Sequence, residues 1–313
     1  MRGSGASFLS VGDLTAAELG AVLDLAEAPA TARPLEGKGV ALVFEHPSAR
    51  TRNAAEMAVV QLGGHPLAIR GEEIGIDRRE SAEDVARTLA CYHSIIAARV
   101  ERHTTLERMR HSLEASGTPV PVVNLLSDVE HPTQALADLL TIRQRLGRLE
   151  GVTLAFVGDG NNVCRSLAGA AALAGMHFRA AAPAGYELKS EDVAWALRLG
   201  GEIELSSSPR EAAEGADVIY TDVWVSMGGD EESWTKRHAF AGYTIDDELL
   251  AAAAPGALVL HCLPAHRGEE ISEAVLDGPQ SAVWLQAENR MHSIRGLFRF
   301  MSGEGVAPRG QAL

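Results

Sequence analysis

The fold class expected from the sequence is α/β, two doubly wound domains with parallel sheets linked by interdomain helices, and three observations predict it. The chain has 313 residues, long for one core and natural for two domains of about 150 residues each. Apolar, β-branched runs such as GVALVF at 39–44 and VTLAFV at 152–157 alternate with amphipathic segments, and that alternation builds parallel sheets with crossover helices. The composition, 46% hydrophobic and 22% charged, is that of a packed α/β protein rather than a disordered one. The domains are expected at 1–148 and 149–289, with a C-terminal helix of about 290–313 packing back on the first.

Each element follows from its own residues. The run 39–44 reads as a strand buried on both faces, which needs no polar alternation. A helix is expected over 50–62, because Ala54, Ala55, Ala58, Val59 and Leu62 recur on one side. A second strand is expected at 66–69, followed by a polar stretch over 70–80. A helix then begins near Ser81, where Ser81-Ala82-Glu83-Asp84 has capping-box spacing with aspartate in place of glutamate. Further strands are expected at 94–99 (SIIAAR), ending in arginine, and at 120–124. Over 132–145, Leu136, Leu139, Leu140 and Ile142 keep helical spacing; this helix is expected to cross between the domains and places the boundary near Leu149. The second half opens with the strand 152–157, the turn Gly158-Asp159-Gly160-Asn161-Asn162 and an alanine-rich helix. Strands at 218–222 and 258–263 and a last helix near 293–301 complete it.

Charge and cysteine usage exclude several functions. A formal net charge of −14 opposes nonspecific binding to nucleic acid or to an anionic membrane, both of which need a basic field. Any anionic ligand must therefore be gripped by a local arginine cluster. The start of the chain lacks a basic flank followed by an apolar run, and no apolar stretch approaches a membrane span, so a cytoplasmic location is expected. Cys91, Cys164 and Cys262 are odd in number, far apart and without CxxC spacing, which indicates neither a disulfide framework nor a zinc knuckle.

In open parallel sheets ligands bind beyond the carboxyl ends of the strands, so polar residues there carry most weight. Phe44-Glu45-His46-Pro47-Ser48-Ala49-Arg50-Thr51-Arg52 is a strand end turning into a helix start, with two hydroxyls and two arginines. Such a turn is an anion trap, with free N–H groups, a favourable helix dipole and guanidinium groups. Taken alone it is equally a capped helix with solvated arginines. Gly158-Asp159-Gly160 invites a dinucleotide-binding reading, but the third glycine of that fingerprint is missing.

Further segments break the tie. The phosphate-trap turn resembles the Ser-Thr-Arg-Thr-Arg loop of the aspartate and ornithine carbamoyltransferase family. His131-Pro132-Thr133-Gln134 is similar to its His-Pro-x-Gln motif. Asp222-Val223-Trp224-Val225-Ser226-Met227-Gly228, His261-Cys262-Leu263-Pro264 and Ala287-Glu288-Asn289-Arg290 resemble three motifs of the ornithine branch. The resemblance runs in order from about residue 34 to 300.

It implies transfer of the carbamoyl group of carbamoyl phosphate to the δ-amine of ornithine, giving citrulline and phosphate, with no metal and no organic cofactor. The first domain would bind carbamoyl phosphate and the second ornithine. By match, Ser48, Arg50, Thr51 and Arg99 hold the phosphate, with Ala49 contributing its backbone. Arg99, His131 and Thr51 contact the carbonyl oxygen, and Gln134 and the Leu263 carbonyl hold the carbamoyl nitrogen. Arg290 completes the pocket from the other lobe. Asp222 and Ser226 take the α-ammonium of ornithine, Asn162 and the Met227 N–H its carboxylate, and Cys262 lies near the δ-amine. Arg99, His131, Cys262 and Asp222 are thus the candidate catalytic residues. The family also implies a cis Leu263–Pro264 peptide and a homotrimer, or a multiple of trimers, with active sites across subunit contacts.

Three positions depart from the family pattern. Ala49 stands where threonine is usual, a loss of about 0.5 to 1.5 kcal/mol if one hydrogen bond goes with it. His46 stands where lysine is common. The loop that carries a glutamine for carbamoyl phosphate has Glu73 or Gly75 at that place, depending on the gap, and a carboxylate beside phosphate repels it; Arg78 and Arg79 are the candidate substitutes. Two alternatives therefore stand beside free ornithine: another amine acceptor, such as putrescine or an N-acylated ornithine, and a noncatalytic relative.

Overall fold

The computed structural model describes residues 6–225 and 230–304, with the side chains of 230–233 outside the description. The chain divides into two compact units, Met1–Leu136 with Arg290–Leu313, and Ala137–Asn289. Ser226 and Met227, two of the expected substrate contacts, lie outside the described residues.

In the first unit the order is α1 (Ala16–Glu27), β1 (Gly39–Phe44), α2 (Ala49–Gln61), β2 (His65–Arg70), α3 (Gly71–Ile74), α4 (Ala82–Ala90), β3 (His93–Arg99), α5 (His103–Ala115), β4 (Val122–Leu126) and the start of α6 (Pro132–Leu146). The four strands form a parallel sheet in the order β2-β1-β3-β4. The apolar run of β1 is buried from Val40 to Phe44, as a central strand covered on both faces must be. Val43, Ala41, Ile96 and Ala98 pack with Val85, Leu89, Leu106 and Met109 of α4 and α5 in one core. Ser81 caps α4, its Oγ accepting from Asp84 N–H at 3.1 Å.

The second unit holds the rest of α6, then β5 (Thr153–Val157), α7 (Asn162–Leu173), β6 (His177–Ala181), α8 (Ser190–Arg198), β7 (Glu202–Ser206), α9 (Pro209–Ala213), β8 (Val218–Thr221), α10 (Asp230–Ala239), α11 (Asp247–Leu250), β9 (Leu258–His261), α12 (Glu273–Leu276) and the first part of α13 (Val283–Met301). Its five strands are all parallel, in the order β7-β6-β5-β8-β9. The chain passes between units inside α6 and returns inside α13. Both sheets are doubly wound. The chain runs outward from β1 to β2 and outward from β5 through β6 to β7, then crosses to the other side. A crevice therefore opens beyond the strand ends between β1 and β3, and another between β5 and β8.

Some boundaries differ from those expected, for local reasons. The strands expected to reach 222 and 263 stop at Thr221 and His261, because the Asp222 carboxylate turns back onto the Val223 N–H at 2.8 Å and Leu263 takes φ +58°. The last helix starts at Val283 rather than near 293. No described helix is long and apolar enough to cross a membrane.

Candidate functional site

Register brings the first set of groups together. Phe44, the last residue of β1, pairs with Arg99, the last of β3, so the turn after β1 meets the Arg99 side chain. Arg99 Nη1 donates to Ser48 Oγ at 3.1 Å, leaving the Ser48 hydroxyl hydrogen to point elsewhere. Ser48 is the N-cap of α2 but makes no side-chain cap, and the first turn has no acidic residue. The first N–H groups of α2 thus face outward with the positive end of the helix dipole, ready for an anion. By contrast α1, α4 and α7 are each closed by a side chain, from Thr15, Ser81 and Asn161.

Around this turn the structure gathers His131, Gln134 and Arg290. Arg290 donates through Nη1 to Gln134 Oε1 and through Nη2 to Thr51 Oγ1 at 3.2 Å. Thr51, Gln134, His131 and Arg290 are all buried, while Arg50 and Ala49 are exposed. The expectation that Arg290 enters from the other lobe is corrected here. It lies past the point where α13 returns, so it is part of the first unit. Burial, then the charges of Arg290 and Arg99, hold the His131 imidazole well below the ordinary histidine range, so it is neutral at pH 7. Burial and the charge of Arg50 also pull the Arg99 guanidinium down from its usual value. The loop carrying His131 is fixed from beneath: buried Glu130 accepts from Ser10 Oγ at 2.6 Å and from Val11 N–H at 3.1 Å. Asn124 Nδ2 donates to Leu9 O at 2.9 Å and to Ser127 Oγ at 3.2 Å.

The second set forms the same way in the second unit. Thr221 of β8 pairs with His261 of β9, so the residues just beyond, Asp222 and Cys262, are neighbours. Asp222, 8% exposed, is held on three sides. Its Oδ1 accepts from Val223 N–H at 2.8 Å and from the Cys262 thiol at 2.8 Å, and its Oδ2 accepts from Asn161 Nδ2 at 2.9 Å. Asn162, next in the chain and the first residue of α7, is half-buried. The Leu263–Pro264 bond is cis. Leu263 N–H donates to His261 Nδ1 at 2.9 Å, so His261 carries its proton on Nε2, 3.1 Å from buried Glu270 Oε1. That network orients the peptide of Leu263. Donor atoms of Asp222, His261 and Cys262 come within 4.8 Å of one another, yet both His261 nitrogens are engaged, so an ion would have to break this network.

The two loop positions that depart from the family pattern have structural duties. Glu73 Oε2 accepts from Arg70 N–H at 3.3 Å, closing α3, and Gly75 ends that helix at φ +59°. The glycine-rich turn also explains itself. A Cβ on Gly160 would lie 2.3 Å from the Leu188 backbone nitrogen, and its N–H donates to Tyr186 O at 2.8 Å. The glycine admits the chain's own backbone, leaving no cradle for a nucleotide phosphate. Among the described residues the three cysteines are free thiols. Sequence reasoning gave no role to Asn161, Glu130 or His261; Asn161 stands next to a candidate ligand and His261 inside a matched motif, whereas Glu130 carried no signal.

Comparison with known proteins adds the following. Residues 6–144 match a family model described as aspartate/ornithine carbamoyltransferase, carbamoyl-P binding domain, and residues 150–301 match its Asp/Orn binding domain. The ornithine carbamoyltransferase of Acidothermus cellulolyticus is 52% identical, over 96% of this chain and 98% of that one. The solved ornithine carbamoyltransferase from Pyrococcus furiosus superposes with a TM-score of 0.88 at 40% identity, covering 95% of this chain and 96% of that one. A solved N-acetyl-L-ornithine transcarbamylase superposes with a TM-score of 0.82 at 27% identity, over 94% and 99% of the two chains.

Proposed function

The chain belongs to the aspartate/ornithine carbamoyltransferase family, and we propose from that premise that it transfers the carbamoyl group of carbamoyl phosphate to the δ-amine of L-ornithine. The products are L-citrulline and phosphate. The phosphate is held by the open N-terminus of α2, the Ser48 hydroxyl, Thr51, Arg50 and Arg99, with Arg290 behind them. The carbonyl oxygen takes hydrogen bonds from Arg99, Thr51 and neutral His131, which donates without adding charge. The carbamoyl nitrogen donates to Gln134 Oε1 and to the Leu263 carbonyl. On the amino-acid side Asp222 and Ser226 take the α-ammonium, and Asn162 and the Met227 N–H take the carboxylate.

The δ-amine has a lysine-like pKa near 10.4, so its reactive neutral form lies on the order of 4 to 5 kcal/mol uphill at pH 7. With Cys262, whose thiol is held by Asp222, orienting it, the amine attacks the carbonyl carbon. The tetrahedral oxyanion gathers against Arg99, His131 and Thr51, and its collapse expels phosphate, which takes the amine's proton. None of these steps calls for a metal or an organic cofactor.

The observation that carries this reading is the buried, triply held Asp222 carboxylate beyond β8. A free α-ammonium needs such an anion; an N-acylated ornithine has no charge there to satisfy. The protein acts in the cytosol as a homotrimer or a multiple of trimers. Steady-state assays with carbamoyl phosphate and ornithine, putrescine and N-acetylornithine test the reading. Citrulline formation is expected to saturate in ornithine, to exceed the other amines by at least about a hundredfold in kcat/KM, the order of one unpaired buried charge, and to rise with pH through neutrality. A flat profile from pH 6 to 9 contradicts the amine step. A folded protein that turns over no amine is a noncatalytic relative.

A further inference from the structure

Asn161 does two things with one amide. Its Oδ1 accepts from the N–H groups of Val163 and Cys164 at 2.9 and 3.1 Å, capping α7. Because the oxygen faces those donors, the nitrogen is fixed on the other side, and it donates to Asp222 Oδ2 at 2.9 Å. Oδ1 of Asp222 is committed to Val223 N–H and the Cys262 thiol. Among the described residues Oδ2 has no other donor, so one lone pair is left on it, and its direction depends on where Asn161 holds that oxygen. A thiol is a weak donor and Val223 N–H touches only Oδ1, so without Asn161 no direct contact fixes Oδ2 and the carboxylate is held less firmly about its last torsion.

We infer that Asn161 is a positioning residue for the amino-acid substrate: it couples the rigid N-terminus of α7 to the Asp222 carboxylate and sets the direction from which the α-ammonium is received, while its neighbour Asn162 meets the substrate itself. The inference rests on the ornithine reading above. Other titratable groups around Asp222 are His261, whose ring nitrogens are engaged by Leu263 N–H and Glu270, the thiols of Cys262 and Cys164, the phenol of Tyr220, and Asp159, which is paired with Lys236 at 2.6 Å. Burial and neighbouring carboxylates hold Cys164 and Tyr220 well above their usual values, so neither titrates near neutrality.

Two variants keep the cap and separate it from the donor, since serine and aspartate both close helix N-termini well. Asn161→Ser keeps an acceptor for α7 but has no donor that reaches Asp222. Its ornithine KM is expected to rise about ten- to hundredfold, the scale of one hydrogen bond to a charged group, with the carbamoyl phosphate KM and the melting temperature close to wild type. Asn161→Asp sets a second carboxyl against Asp222. Such pairs share one proton as pH falls, and the introduced group, once protonated, is an O–H donor in the place of the amide. Its kcat/KM for ornithine, divided by that of wild type at each pH, should climb as pH is lowered from 9 to 6, while the same ratio for Asn161→Ser stays low and flat. An ornithine KM within twofold of wild type for Asn161→Ser, or a pH-independent ratio for Asn161→Asp, overturns the inference while leaving the reaction intact. Absence of citrulline formation by wild type overturns both.

Discussion

At the scale of single residues, the most telling group is His131. It lies buried near two guanidinium charges and stays neutral, which suits a donor to a developing oxyanion and has a stability consequence. A histidine whose folded pKa is depressed binds fewer protons folded than unfolded, so stability is intact above the unfolded value near 6.5 and declines as pH falls below it. As pH falls from 6.5 toward 5, wild type therefore loses stability that this one group supplies at neutral pH. The comparison that isolates it is His131→Gln, which keeps a side-chain donor and does not titrate. Urea midpoints at pH 7 and 5 should fall further for wild type than for the variant. Equal losses would mean that His131 takes up its proton in the folded state.

Among elements, the loop between α3 and α4 shows how a polar segment is fixed without a core. Arg108 of α5 donates Nη1 and Nη2 to Asp77 at 2.7 and 3.0 Å and Nε to Glu83 of α4 at 2.7 Å. The guanidinium holds Asp77 below the usual carboxylate range and brings Glu83 down to about 2. Folded-state values below the unfolded ones stabilise at neutral pH, and that contribution disappears as pH falls from about 4.5 toward 2. These groups are well exposed, so salt screens them. The difference in urea midpoint between wild type and Arg108→Ala is therefore expected to shrink between pH 5 and 2 and to shrink with added salt; a gap constant over both ranges would mean the arginine acts by packing alone. Strands β1, β3 and β5 were legible in the sequence because buried parallel strands are unbroken apolar runs. Strands β6 and β7 were not, since HFRAA and EIELS mix charges with apolar residues and β7 lies half-exposed at a sheet edge. The start of α13 was hidden for the opposite reason: Gln286 and Asn289 are polar yet buried, bonded to Asp138 and Tyr220 and to Thr141 and Gln144, so no apolar stripe announced the helix. The candidate ligands were legible as motif residues, but Asn161 and His261 act through other residues, and that role leaves its trace only in geometry.

For the whole molecule, the question is what covers the outer side of the first sheet. Strand β2 is an edge strand with Leu67 exposed, and an open edge with an apolar residue invites pairing with another chain unless something covers it. Helix α2, packed beside β2, adds Met57 and Val60 three residues apart on its solvent face, about half exposed. A trimer closes by repeating one heterologous contact around a threefold axis, and these residues offer an apolar centre for it. Sedimentation equilibrium is expected to give three times the chain mass of 33.2 kDa, or a multiple of that. The double variant Met57→Glu with Val60→Glu should shift the population toward single chains. If sites are completed by a neighbouring copy, citrulline formation should fall with the trimer fraction and return as protein concentration is raised. A wild-type protein that sediments as one chain and is fully active removes assembly from the mechanism, and the exposed residues on α2 and β2 would then need another explanation.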